Sequence, residues 1–271
     1  MRRINFGRVE PSFLIIGTQK GGTTSLHEYL IQHPKLIAPV KKELHFFDTK
    51  NTITNYLNNF PKEYFTNSIS FESTPRYMYY PDAGKKIFNF NPKMKFIVLL
   101  RNPVKRAFSA WNMYSQMKSD FHLQKFFKDS ERNNHLEKIH SLLYENDFPS
   151  FKQWVDIETG KDFDEELIEP SIIRRGYYKE QIDYYLKYFP KKQFLFIETE
   201  SLKNETLTIL NSVSDFLGIK PFNNLALDLK RRHERSYAGS LSPEMYEFLS
   251  NHFQQKNRGL EELVDLKLSW M

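Results

Sequence analysis

The sequence predicts an α/β protein: a central parallel sheet flanked by helices. Three observations carry that expectation. Short unbroken apolar runs at Phe13–Ile16, Lys95–Leu100 and Gln193–Ile197 have the length and continuity of strands buried on both faces. Each is followed by a stretch with helical spacing, which is how parallel strands are connected. The first run leads directly into a glycine-rich turn, Gly17-Thr18-Gln19-Lys20-Gly21-Gly22, and then into the helix starters Thr23, Thr24 and Ser25. The 271 residues suffice for a sizeable core and suit one α/β domain over 1–271.

The turn is an anion cradle. Its glycines let the backbone approach a ligand, and Lys20, Gly21, Gly22, Thr23, Thr24 and Ser25 bring backbone N–H groups and the positive end of a helix to one point. Gly17 to Gly22 has the spacing of a Walker A loop, which relates the expected three-layer fold to P-loop kinases. That motif needs lysine next, and Thr23 stands there. The lysine lies inside the loop, at Lys20, over the near phosphate and its leaving bridge. This suits a donor with one phosphate and a small transferable group, such as a phosphosulfate. The plain alternative is a glycine-rich turn joining a core strand to a core helix.

The strings G-T-Q-K-G-G-T-T-S-L, H-P and K-E-L-H-F-F-D resemble the sulfotransferases that use 3′-phosphoadenosine 5′-phosphosulfate (PAPS), most of all the branch with the heparan sulfate N- and 3-O-sulfotransferases. The likeness is strong over residues 12 to 110, resumes from about 174 to 218 and thins at the C-terminus. It implies PAPS as co-substrate, adenosine 3′,5′-bisphosphate as product and a hydroxyl-bearing acceptor, a glycan or glycolipid, with an amine as the less favoured alternative.

His33-Pro34 ends the first helix, and Pro39 to Asp48 follows. With Lys42 to Phe46 extended, Glu43 and His45 share one face while Leu44 and Phe46 point into the core. A carboxylate and an imidazole side by side suit removal of a proton from an attacking hydroxyl. Glu43 also aligns with the glutamate that the resemblance makes the base. The bland alternative leaves Glu43 as a salt-bridge partner of Lys42, and His45 as a core histidine. Lys42 is a candidate for steering an anionic acceptor.

Residues 52 to 60 read as an amphipathic helix ended by Pro61, and Ser68 to Glu72 as a short strand running into Ser73-Thr74-Pro75-Arg76-Tyr77. The resembling branch usually carries lysine where Ser73 stands, so one positive charge expected near the reacting group is missing unless Arg76 or Lys42 supplies it. Glu72 is either an acceptor-side group or a holder of the loop. Pro81 to Phe90 reads as a helix stopped by Asn91-Pro92.

The strand Lys95–Leu100 closes on Arg101-Asn102-Pro103, and ligands of open parallel sheets bind outside such carboxyl ends. Val104 to about Met117 is the next helix. Arg101 and Ser109, in the string L-R-N-P-x-x-R-x-x-S, are expected to clamp the 3′-phosphate, arginine because its planar fork binds phosphate oxygens bidentately. Arg106 reads as a surface residue of that helix.

Residues 119 to 147 read as a helical or mobile insert framing the acceptor cleft. Phe148–Val155, Ile172–Phe189 and a capped Ser201–Leu217 stopped by Gly218 read as helices. Tyr178 resembles a residue beside the donor's adenine and could equally be core. In the 231–240 loop only Arg235 and Tyr237 could reproduce the family's phosphate and adenine contacts. Pro243–Gln254 and Asn257–Leu263 read as the closing helices.

Composition excludes several functions. There is no cysteine, hence no disulfide, cysteine nucleophile or thiolate metal site. The eight histidines show no metal-ligand spacing, so no metal is expected. A net charge of +6 favours anionic ligands, but no basic run with interleaved aromatics points to nucleic acid. MRRINFGRVEPS lacks an apolar h-region and no run is long enough to span a bilayer, so a cytoplasmic enzyme is expected. Other classes stay open: sulfation of a lipid or carrier-bound acyl hydroxyl, a P-loop small-molecule kinase, or a donor-binding protein without catalysis.

Overall fold

The structure is a computed structural model; it describes residues 7–62, 68–117, 147–160, 171–229 and 239–271. Five strands form one sheet: β1 (Pro11–Gly17), β2 (Leu36–Ile37), β3 (Ile69–Ser73), β4 (Lys95–Leu100) and β5 (Phe194–Glu198). Their spatial order is β2-β3-β1-β4-β5, and every pairing is parallel. Phe13, Leu14, Ile15, Phe96, Ile97, Leu99 and Leu100 are fully buried, as continuous apolar runs between helical layers require.

The order dictates where a ligand can go. From β1 the chain goes to the edge strand β2, returns inward to β3 beside β1, then crosses to the other side for β4 and outward to β5. The crevice at a topological switch of this kind opens outside the carboxyl ends of the central strands. Gly17, at the end of β1, pairs in register with Val98 of β4.

The helices are α1 (Thr23–Leu30), α2 (Ile53–Leu57), α3 (Ala83–Phe90), α4 (Pro103–Met117), α5 (Phe151–Thr159), α6 (Tyr178–Leu186), α7 (Thr199–Asn204), α8 (Thr206–Leu217), α9 (Pro243–Lys256) and α10 (Leu260–Val264). Their ends follow local chemistry. Thr52 accepts from the Asn55 amide at the start of α2, Ser150 and Gln153 form a reciprocal capping box on α5, and Ser242 accepts from Met245 ahead of Pro243. Gly218 ends α8 with φ +72°, the left-handed geometry glycine adopts freely.

The chain divides into two compact units. One comprises Met1–Arg101, Glu180–Glu234 and Glu261–Leu268. Its core joins Phe13, Ile15, Leu26, Leu30, Phe71, Ile97 and Leu99 of the sheet and α1 to Leu210, Val213 and Phe222. The other comprises Asn102–Lys179, Arg235–Leu260 and Ser269–Met271. There Val104, Ala107 and Ala110 of α4 pack with Trp154 and Val155 of α5 and with Leu249 and Phe253 of α9.

Four expectations are corrected. Residues 42–46 form no strand, because Glu43 and His45 have φ of +61° and +53°. Helix 172–189 starts late, as a 3₁₀ turn at Arg174–Gly176 followed by α6. The amides of Ile172, Ile173 and Arg174 donate instead to the Glu158 carboxylate. Helix 201–217 is split into α7 and α8, with Glu205 outside helical geometry at φ −131°. Arg106 lies in the interior at 0 % exposure, and its Nη2 donates to the Ile172 carbonyl. The insert at 119–147 falls, but for Asp147, outside the described residues.

Candidate functional site

The turn after β1 is held by its own backbone. The Thr18 amide donates to Leu99 O at 3.0 Å, the Gly21 amide to Thr18 O at 2.8 Å, and the Thr199 hydroxyl to Gly21 O at 2.7 Å. A Cβ on Gly21 would lie 2.8 Å from Thr18 O and 3.3 Å from Leu99 O. Both obstacles are backbone, so only glycine fits. Gly22 begins α1 at φ +93°, and Lys20 has φ +66°. The Lys20 carbonyl accepts from Arg101 Nη1 at 2.7 Å, so the arginine at the end of β4 braces the left-handed lysine. Thr23, Thr24 and Ser25 form the first turn of α1, where N–H groups have no acceptor within the helix.

A second loop stands beside the neighbouring strand. The Glu43 amide donates to the carbonyl of Ser73, the last residue of β3, at 3.1 Å. Ser73 is in register with Ile15 of β1. Lys42 Nζ lies 2.6 Å from Glu43 Oε1, and His45 Nε2 lies 3.8 Å from Glu43 Oε2. The other His45 nitrogen is 2.9 Å from Asp48 Oδ2, and Arg76 Nη1 is 3.4 Å from the same oxygen. Glu43 and His45 therefore do meet, through left-handed backbone rather than strand alternation. The salt bridge between Lys42 and Glu43 is present as well, and the Glu43 side chain keeps 43 % of its surface exposed.

Beneath this loop lies Glu72, fully buried. Tyr56 donates to its Oε2 at 2.6 Å, and Thr74 and Tyr77 donate to its Oε1 at 2.5 and 2.8 Å. Burial foremost pushes the Glu72 carboxyl up, against the pull of those three hydroxyls. The Tyr77 hydroxyl in turn accepts from the Phe46 amide at 2.8 Å. Glu72 thus reaches the Glu43 loop through Tyr77 and has no exposed surface.

His27 escaped the sequence reading, and Ser73 entered it only as the residue standing where the resembling branch carries lysine. His27 Nδ1 lies 2.9 Å from Ser73 Oγ, and both residues are buried. Burial foremost, then the Lys42 charge, lowers the His27 pKa to about 4. The only sequence signal was a histidine between apolar helix positions Leu26 and Leu30.

The remaining predicted residues are placed as follows. Arg101 is half-buried at the end of β4. Ser109 is buried on α4, in the other compact unit. Tyr178 is fully buried, its ring 5.9 Å from Trp270. Arg235 and Tyr237 lie outside the described residues. Among the described residues no cluster of three or more histidine, aspartate or glutamate side chains could hold a metal ion, and no helix is long and apolar enough to cross a membrane.

Known proteins resemble this arrangement. The model of the sulfotransferase domain family matches residues 10–237. A membrane-associated sulfotransferase, kil1, of Dictyostelium discoideum is 25% identical over 96% of this chain and 66% of that protein. Human heparan sulfate glucosamine 3-O-sulfotransferase 6 is 31% identical over 78% of this chain and 53% of that protein. The crystal structure of a sulfotransferase from Alicyclobacillus acidocaldarius superposes with a TM-score of 0.71 at 25% identity, covering 97% of this chain and 99% of that one. The chain thus spans just under two thirds of the first relative's length and about half of the second's.

Proposed function

The chain belongs to the sulfotransferase family, and on that footing we propose that it moves the sulfuryl group of PAPS to a hydroxyl of a carbohydrate. One observation carries the reading. Ser73, which anchors Glu43, is in register with Ile15, just ahead of the loop that begins at Gly17. A carboxylate loop and a phosphate loop are therefore held at the carboxyl ends of adjacent strands. Thr23 in the Walker lysine position, with Lys20 inside the loop, supports a donor with a single reacting phosphate. The heparan sulfate sulfotransferase relatives support a glycan acceptor over a lipid or an acyl chain, and Glu43 as a proton acceptor suits a hydroxyl. The family match runs through residues of both compact units, which supports reading the chain as one sulfotransferase domain.

The reaction is an in-line displacement. Glu43 takes the proton of the acceptor hydroxyl as its oxygen bonds to sulfur. The bond from sulfur to the 5′-phosphate oxygen breaks on the opposite side, and adenosine 3′,5′-bisphosphate leaves with that electron pair. Lys20 and the N–H groups of residues 22–25 hold the developing charge, already aimed before reaction. His45, oriented by Asp48, keeps Glu43 in place, and Lys42 draws an anionic acceptor. Arg101 both braces Lys20 and offers a guanidinium fork to the 3′-phosphate.

Calorimetry with adenosine 3′,5′-bisphosphate and with ATP, followed by transfer from radiolabelled PAPS to glycans, glycolipids and small alcohols, tests the proposal. Bisphosphate binding without ATP binding, and label on a glycan, is the expected result. Magnesium-dependent ATP binding with no sulfuryl transfer overturns it in favour of a kinase.

A further inference from the structure

We propose that His27 is a positioning residue that ties the helix of the donor loop to the Glu43 loop through Ser73. The inference rests on the transfer reaction proposed above. His27 sits on α1, the helix that starts where the phosphate loop ends. Its Nδ1 holds the Ser73 hydroxyl at 2.9 Å, while the Ser73 carbonyl takes the Glu43 amide at 3.1 Å. The end of β3 is thus fixed from two sides: α1 grips its last side chain, and the base loop hangs from its last carbonyl.

The chemistry of the site explains why histidine is there. Leu26 and Leu30 flank it with no exposed surface, and its ring stands 5.2 Å from Phe71. An apolar ring would fill that space; what histidine adds is the hydrogen bond. Lys42 and Glu43 are near enough for their charges to act on the imidazole. A neutral ring leaves the pair between Lys42 and Glu43 undisturbed, whereas an imidazolium would compete for the carboxylate. Burial keeps the ring neutral.

The test compares His27→Asn, His27→Gln, His27→Phe, Ser73→Ala and the double variant of the last two. Asparagine can place a polar atom where Nδ1 lies; glutamine carries its amide one methylene too far, and phenylalanine keeps only the packing. Measured are hydrogen exchange at the Glu43 amide, bisphosphate affinity by calorimetry, and kcat and KM with PAPS and O-desulfated heparan sulfate. His27→Phe and Ser73→Ala should each lower kcat about ten- to hundredfold, as small misplacements of a reacting group do. The Glu43 amide should exchange roughly tenfold faster. Bisphosphate affinity and the KM for PAPS should move less than about twofold.

The double variant should be no worse than either single one, and His27→Asn should recover most of the rate. Unchanged Glu43 amide protection in His27→Phe, equal losses in His27→Asn and His27→Phe, or a fall in bisphosphate affinity matching that in kcat would each overturn the proposal. If the wild-type chain transfers nothing, the sulfotransfer reading fails, while the exchange experiment still decides the coupling.

Discussion

The two loops at the carboxyl end of the sheet are built by opposite means. The donor loop, residues 17–22, is held largely by its own backbone: amide to carbonyl within the turn, a carbonyl on β4, and a glycine with no room for a Cβ. The Glu43 loop has one backbone tie at Glu43, from its amide to Ser73 O, and otherwise depends on side chains. Its left-handed residues are kept in place by hydrogen bonds and ion pairs to Ser73, Tyr77, Asp48 and Lys42. A backbone-framed loop is rigid before its ligand arrives, which suits charge stabilisation. A loop hung on side chains can be retuned by single substitutions, which suits the half that meets a variable acceptor.

Substitutions in the two loops should therefore separate in their kinetics. The largest effect is expected from Glu43→Gln, which removes the proposed base and should cut kcat by about 10²- to 10⁴-fold. Calorimetry should find bisphosphate affinity unchanged; equal loss of both would make Glu43 part of the scaffold and break the contrast.

The next effect is on stability against pH. An unfolded histidine takes up its proton near its ordinary value of 6.5, and folded His27 only at about 4. Between those values the unfolded state holds more protons, so stability falls as pH drops from 6.5 to 4 and levels off below. The loss is on the order of 3 kcal/mol. Glu72 acts oppositely: its raised carboxyl makes the folded state the better proton binder above pH 4.5. Denaturant unfolding of the wild type and His27→Asn across this window isolates the histidine by difference.

A smaller effect, on the other loop, is expected from Gly21→Ala. Its Cβ would meet backbone oxygens, an overpacking that costs about 1–3 kcal/mol. Bisphosphate affinity should fall by about tenfold, as 1.4 kcal/mol of lost binding would give. Unaltered affinity would show that the frame yields after all.

Tyr77→Phe should do least, about 1–2 kcal/mol of stability, since it deprives both the Phe46 amide and Glu72 of a partner. A drop in kcat at constant bisphosphate affinity places that loss in the Glu43 loop. A drop in affinity would mean the two loops are not separable.

How far the sequence reached follows the same division. The strand, glycine loop and helix start were legible because their chemistry is contiguous: an apolar run, three glycines and hydroxyl residues within one short stretch. The helix stop at Gly218 and the helix start at Ser242-Pro243 were legible for the same reason. The 42–46 segment was misread because its alternation of polar and apolar residues imitates a strand, whereas the Ser73 carbonyl and the Tyr77 hydroxyl hold it in another shape. Arg106 was taken as surface because arginine on a helix usually is. Helix α4 instead turns it inward, towards Ile172 O, where burial foremost lowers the guanidinium's pKa.

By itself, the sequence determined the parallel α/β sheet, the phosphate loop and the residue types available for transfer chemistry. Each of these is written in the spacing of a few neighbours along the chain. Only the tertiary structure decided which polar side chains are buried, which of them meet, and that Glu72 supports the loop while Glu43 stays open to solvent. The reason is physical: the state of a polar group is set by what surrounds it, and here its surroundings come from segments far apart in sequence.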